Sequence, residues 1–248
     1  MLPIGTAPGH PEILRLMADN PGPMTLTGTN TYVVGSSPCL VIDPGPDDAE
    51  HIGAVLEAIE ARGGAGGVLL THSHNDHTAG VEALGVAPTP LRDGLRLEAG
   101  DGHGLTAIAT PGHAVDHFCF FTEDGVCFSG DLILGWGSTY VPPDGGSLAA
   151  YMDSLRLVRE RRPGLICPGH GPWITDPGAK VTEYLEHRES RERGLLEALA
   201  AGERSRMVLL ETVWSDVPEQ LRPAAAVVME AHLQKLEADG LLPEDVSE

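Results

Sequence analysis

The stretch Thr71-His72-Ser73-His74-Asn75-Asp76-His77 sets three histidines and one aspartate within six consecutive positions. Imidazole nitrogens and a carboxylate are the donors that zinc and similar divalent cations accept. His72 and His74 stand two apart, so at the end of an extended segment both rings can point the same way. Asp76 and His77 then fall on the turn into a helix and can face a second point a few ångströms away. The alternative is a surface loop that happens to be rich in histidine. Three later residues argue against it: His113 in Thr110-Pro111-Gly112-His113, Asp131 in Ser129-Gly130-Asp131, and His170 in Pro168-Gly169-His170-Gly171. Each follows a β-like run, and loops at strand ends are where rigid scaffolds carry their sites. A glycine beside each one lets backbone approach closely.

The elements that must position these residues read as an α/β fold. Thr31–Val34 and Cys39–Ile42 are strand-like around a Gly-Ser-Ser-Pro turn. A helix is expected from about Asp48, with Ile52, Val55, Leu56 and Ile59 at helical spacing. A buried strand, Gly67–Thr71, runs into His72. Further strands are expected at Leu105–Ala109, His117–Phe121, Val126–Phe128 and Leu165–Cys167, with an Asp-Gly hairpin turn at Asp124-Gly125. A helix with Leu148, Met152 and Leu155 lies between the last two. From about Pro177 the texture becomes helical, at Ala179–Leu199, Met207–Trp214 and Pro223–Ala238. The expected division is therefore residues 1–177, holding all seven candidate ligands, and a small helical domain, 178–248.

The chain resembles the metallo-β-lactamase superfamily: His-x-His-x-Asp-His is its signature, and the later His, Asp and His follow in its order. The resemblance implies a four-layer αββα sandwich and a hydrolase with two divalent metal ions, zinc first, manganese or iron as alternatives. His72, His74 and His113 would bind one ion, Asp76, His77 and His170 the other, and Asp131 would bridge them. Two cations roughly 3.5–4 Å apart share a water and bring its pKa toward about 7, so the bridging hydroxide is the nucleophile and no protein nucleophile is needed. Asp76, His77 and Asp131 are the ligands nearest that chemistry. Asp43 is a candidate to orient a ligand ring, or a plain turn residue before Pro44-Gly45; His117 is a candidate for a supporting or substrate-facing role. His10, His51, His103, His187 and His232 read as solvated or structural.

A narrower resemblance extends over both halves. Asn20-Pro21-Gly22-Pro23-Met24-Thr25-Leu26-Thr27-Gly28-Thr29-Asn30-Thr31-Tyr32, Leu148–Leu155, Pro168–Pro172, Tyr184-Leu185-Glu186-His187-Arg188 and His232–Gly240 are similar to the group of the mitochondrial endoribonuclease called lactamase-beta-like protein two, with its C-terminal winged helix. It implies single-stranded RNA as a substrate. Thioesterases, acting on acyl carriers or on hydroxyacylglutathione, share the ligand set and are the alternative. A true β-lactamase is not expected, because Asp131 stands where those enzymes have Cys or Ser. A purely DNA-binding role for the winged helix is disfavoured by the intact ligand set; shaping the site's mouth or a homodimer interface suits that domain better. Trp173 and Trp214 are candidates for a domain junction, with core packing as the plainer reading.

Composition sets the outer limits. Net charge is −20, and the first 150 residues hold only 4 of the 16 basic side chains, so a polyanion meets an unfavourable mean field. Arg156, Arg159, Arg161, Arg162, Arg188, Arg191 and Arg193 would form a basic stripe, or a solvated face paired with Glu160, Glu189 and Glu192. Aromatic residues are 4%, thin for base stacking. No apolar run approaches the roughly 18–20 residues of a membrane span. With no signal-like start and four cysteines without a CxxC pair, a reducing cytoplasm is expected.

Overall fold

The computed structural model describes residues 4–247. Strands β1 (Ile4–Ala7), β2 (His10–Met17), β3 (Asn30–Val34) and β4 (Cys39–Ile42) form an antiparallel run. After helix α1 (Ala49–Ala61), β5 (Ala65–Leu69) joins β4 in parallel. Two single-turn helices follow, α2 (Asn75–Thr78) and α3 (Val81–Leu84). The second sheet is a meander of β6 (Leu95–Glu98), β7 (Gly104–Ala109), β8 (Phe118–Thr122) and β9 (Val126–Gly130). Helix α4 (Leu148–Arg161) then crosses over to β10 (Leu165–Pro168), parallel to β9. Helices α5 (Pro177–Ala200), α6 (Arg206–Val213) and α7 (Arg222–Ala238) complete the chain.

Alternation along the strands builds the layers. In β3 and β4, Tyr32, Val34, Leu40 and Ile42 face one core while Val33, Cys39 and Val41 face another. The first core lies between the sheets, where Phe120, Val126, Phe128, Leu165 and Cys167 come from the opposite side. Each fully buried Phe or Leu there contributes about 1.5–3 kcal/mol. The second core packs Ile52, Val55 and Ile59 of α1 on the outer face of the first sheet. A third places Tyr151, Leu155 and Val158 of α4 against Cys119, Cys127 and Ile166 on the far face of the second sheet. The result is the expected αββα order, with the strand ends after β5, β7, β9 and β10 opening at one edge. Side chains start the helices: Asp48 accepts from His51 N, Ser147 from Ala150 N and Asp176 from Ala179 N.

The helix beginning at Pro177 serves two cores. Val181, Tyr184 and Leu185 pack with α4, whereas Leu195 and Leu199 pack with Leu209, Trp214, Met229 and Leu233 of the helical domain. Trp214 is thus a core residue there.

Three strands escape the sequence pattern. β1 and β2 begin the first sheet, but β2 fully buries only Ile13 and Leu16, three positions apart with half-buried Leu14 and Arg15 between them. β6 is a four-residue edge strand, Leu-Arg-Leu-Glu. One strand is shifted from its expected place: β5 begins at Ala65 and ends at Leu69, two residues early, because Thr71 leaves the ladder to bond Asp43 through both its backbone N–H and its hydroxyl, each at 2.7 Å.

Candidate metal centre

All seven candidate ligands converge at the open strand ends. His72 and His74 lie in the loop after β5, and Asp76 and His77 on α2. His113 follows β7, Asp131 follows β9 and His170 follows β10. They fall into two groups of donor atoms, His72, His74, His113 and Asp131 in one, and Asp76, His77 and His170 in the other. In the first, His74 Nδ1 is 2.9 Å from His72 Nε2 and 3.0 Å from His113 Nε2, and His113 Nε2 is 3.7 Å from Asp131 Oδ2. In the second, His170 Nε2 lies 3.3 Å from His77 Nε2 and 3.2 Å from Asp76 Oδ2. Asp131 Oδ1 reaches this group too, at 3.5 Å from His77 Nε2 and 3.4 Å from His170 Nε2. Asp131 therefore offers one oxygen to each group.

These spacings fit cations. A four-coordinate ion with ligands at about 2.0–2.1 Å sets them about 3.3–3.4 Å apart, the edge of its tetrahedron. The ring tautomers agree. His72 Nδ1 donates to Thr71 Oγ1 at 2.9 Å, whose own proton goes to Asp43. His77 Nδ1 donates to Asp43 at 2.9 Å, His113 Nδ1 to the Tyr140 carbonyl at 2.6 Å and His170 Nδ1 to the Gly28 carbonyl at 3.2 Å. In each of the four, the hydrogen bond leaves Nε2 as a bare lone pair aimed into the site. Lone pairs crowded at such distances repel unless positive charge lies between them. Among the described residues Asp131 Oδ1 is buried with no hydrogen-bond donor, as a metal ligand would be.

Electrostatics reinforce this. Burial alone would raise the carboxyl of Asp131, yet the charges of His170 and His77 hold it well below the usual carboxylate range. Burial likewise works against protonating His170, but Asp131 and Asp76 push it up to about 9, and His77 is raised by Asp131 and Asp43. The carboxylates thus demand positive charge at these Nε2 atoms, which a proton or a divalent cation supplies. Burial drives His72 and His113 the other way, toward the neutral ring.

The supporting residues sort themselves. Asp43 is a ring-orienting group and holds φ +50°, a left-handed conformation that aims its carboxylate at both Thr71 and His77. His117 faces inward: Thr110 Oγ1 lies 2.9 Å from its Nδ1, and its Nε2 accepts from the Asp131 backbone N–H at 3.2 Å. Burial and the neighbouring His113 push it down to about 3, so it serves as a neutral acceptor. Sequence reasoning missed Thr71, whose hydroxyl links Asp43 to His72, and the carbonyls of Gly28 and Tyr140, which no residue type announces. His51 is buried, 2.8 Å from Thr31 Oγ1, a structural role.

The arginine stripe is largely spent on internal contacts. Arg188 is buried, Arg191 bonds Asp216 and the Val213 carbonyl, Arg156 pairs with Asp153, and Arg161 lies over the Phe121 ring. A cleft of about 280 Å³ leads to the ligands, lined by Pro23, Met24, Leu26, Leu134, Ser138, Thr139 and Tyr140 beside His74, Asp76, His113 and Asp131. Leu26 holds φ +57°. Among the described residues no helix is long and apolar enough to cross a membrane.

Comparison with known proteins agrees with this architecture. Residues 24–88 and 86–170 match the Metallo-beta-lactamase superfamily, and residues 205–245 match the Beta-lactamase associated winged helix domain. The chain is 32% identical to the Beta-lactamase-like protein 2 homolog of Drosophila melanogaster, across 93% of this chain and 89% of that one. It is 36% identical to an atrochrysone carboxyl ACP thioesterase of Aspergillus chevalieri, across 92% and 82%. A metallo-beta-lactamase family protein of Thermus thermophilus shares the fold with a TM-score of 0.76 at 23% identity, covering 94% of this chain and 95% of that one. With its signature ligand residues gathered at the sheet edge and a helical domain behind them, the chain belongs to the metallo-beta-lactamase superfamily, as a hydrolase that carries the associated winged-helix domain.

Proposed function

We propose that this hydrolase uses two divalent metal ions, zinc by its donor set, to cleave a carboxylic thioester or related activated ester. The observation that carries the reading is the cleft: its walls include Met24, Leu26 and Leu134, and among the described residues no lysine or arginine lines it. A nuclease holds an RNA strand largely through lysine and arginine on the phosphates that flank the reacting one. A thioester is neutral at the reacting carbon and asks for an apolar wall beside it. The relative named as an ACP thioesterase supports the same choice.

When bound, two such ions polarise the carbonyl oxygen and activate the attacking water. The chain's own contribution is positional. Asp43, Thr71, Gly28 and Tyr140 fix the rings, and Asp131 divides its oxygens between the groups. Single-stranded RNA is the second reading, favoured by the same paired donor groups, since two-ion sites also drive in-line displacement at phosphorus.

The test uses metal-loaded protein with an acyl-thioester series and, in parallel, a labelled single-stranded RNA, each beside an Asp76→Ala control. Thioester turnover that disappears with chelator and in the control, with RNA intact, is the expected result. RNA cleavage without thioester turnover would replace this reading by the second.

A further inference from the structure

Helix α5 carries a charge where its buried stripe calls for an apolar residue. The stripe runs through Val181, Tyr184, Leu185, Arg188, Leu195 and Leu199, and Arg188 is only 3% exposed. Its Nη2 donates to Ser138 Oγ at 3.0 Å and to the Thr139 carbonyl, and its guanidinium carbon lies 5.4 Å from the centre of the Tyr151 ring. Among the described residues no carboxylate pairs with it. Burying a guanidinium is costly, and here the charge is directed at neutral oxygens of a single turn.

That turn sets two ligand positions. Thr139 Oγ1 donates to the carbonyls of Asp131, at 2.9 Å, and Leu132, at 3.2 Å. The Tyr140 carbonyl, next in the chain, accepts from His113 Nδ1 at 2.6 Å. Ser138, Thr139 and Tyr140 also line the cleft. Arg188 therefore stands one residue's hydrogen bonds away from Asp131 on one side and from His113 on the other. It also marks the point along α5 where the packing passes from the catalytic core to the helical core.

We propose that Arg188 is a positioning residue for the metal centre: it clamps the 138–140 turn and so couples the winged-helix domain to the placement of Asp131 and His113. The proposal rests on the metal-centre reading above. A planar guanidinium can hold a hydroxyl and a carbonyl together, whereas an ammonium is a point charge on a flexible stem. A residue that merely filled the junction would affect stability and leave the ligands where they are.

The experiment measures metal affinity by chelator competition and the visible spectrum of the Co2+-loaded protein, for the wild type, Arg188→Met, Arg188→Lys and Leu195→Ala. Leu195 lies in the helical core and serves as the control for destabilisation alone. Arg188→Met should lose about tenfold or more in metal affinity, as removal of outer-shell support does, with an altered Co2+ spectrum; Arg188→Lys should fall between it and wild type. Leu195→Ala should melt earlier with an unchanged spectrum. A folded Arg188→Met protein with wild-type affinity and spectrum overturns the proposal. If the Met variant does not fold, a folded Arg188→Lys protein with wild-type affinity and spectrum overturns it equally. Failure of the wild type itself to bind metal would sink the metal-centre reading instead.

Discussion

His77 donates from Nδ1 to the Asp43 carboxylate at 2.9 Å, with both groups buried. The same carboxylate accepts from the Thr71 backbone and hydroxyl, so three donors meet on one anion. An asparagine keeps the shape and tolerates the left-handed backbone, but turns an NH2 group toward at least one donor. Asp43→Asn should therefore weaken metal binding by about 10–100-fold and cost about 1–3 kcal/mol in stability. Chelator competition and a thermal melt measure the two. Unchanged metal affinity would show that His77 needs no partner.

Gly169 offers a way to disturb the centre without replacing a ligand. A Cβ there would lie 2.6 Å from Asp131 Oδ1 and 2.9 Å from His77 Cε1, closer than packed atoms come. Gly169→Ala should lower turnover by about 100-fold, the penalty of an ångström-scale misplacement. Metal content measured beside activity would show the loss; full activity would mean the loop gives way.

The pH dependence of the chelator-stripped protein follows from His170, raised to about 9 by Asp131 and Asp76 against the effect of burial. A folded pKa above the ordinary 6.5 stabilises the fold fully below 6.5, and that stabilisation is lost as pH rises through about 9. His77 is shifted in the same direction, while the lowered values of His72, His113 and His117 act on the acid side. The melting temperature of the stripped protein should thus fall between about pH 6.5 and 9, while metal affinity rises across that interval as the competing proton leaves. A flat melting profile there would contradict the assigned interactions.

Leu26 sits in the cleft wall at φ +57°, a conformation that costs a non-glycine residue about 1–2 kcal/mol. Leu26→Gly removes both the strain and the wall. The protein should melt no earlier than wild type, and its preference for long over acetyl thioesters should drop by about tenfold or more. An unchanged preference would place the acyl group elsewhere.

The candidate metal-binding loop was legible because ligand chemistry admits few residue types, and His72, His74, Asp76 and His77 concentrate them in six positions. The layers were legible wherever a strand is an unbroken apolar run, as in Cys39–Ile42, which is buried at every position. β2 was not, because its burial comes from pairing between β1 and β3 and not from its own pattern. His117 was open between a supporting and a substrate-facing role, and it takes the supporting one: nothing in Pro-Gly-His-Ala-Val-Asp-His tells that its ring turns toward the Asp131 backbone. Arg188 looked like one of a row of surface arginines for a related reason. Its partners are a carbonyl and a hydroxyl some 50 residues away, and carbonyls carry no sequence signature.

Helix α5 has a further effect on how the molecule holds together. It is a wall of two rooms: Val181, Tyr184 and Leu185 close one, Leu195 and Leu199 the other. A chain ended at 177 would keep every candidate metal ligand yet uncover Tyr151, Leu155 and Val158 of α4. Neither part can then shed its structure without loosening the other's, so heating should produce one calorimetric transition; two separate transitions would make the winged helix a detachable accessory.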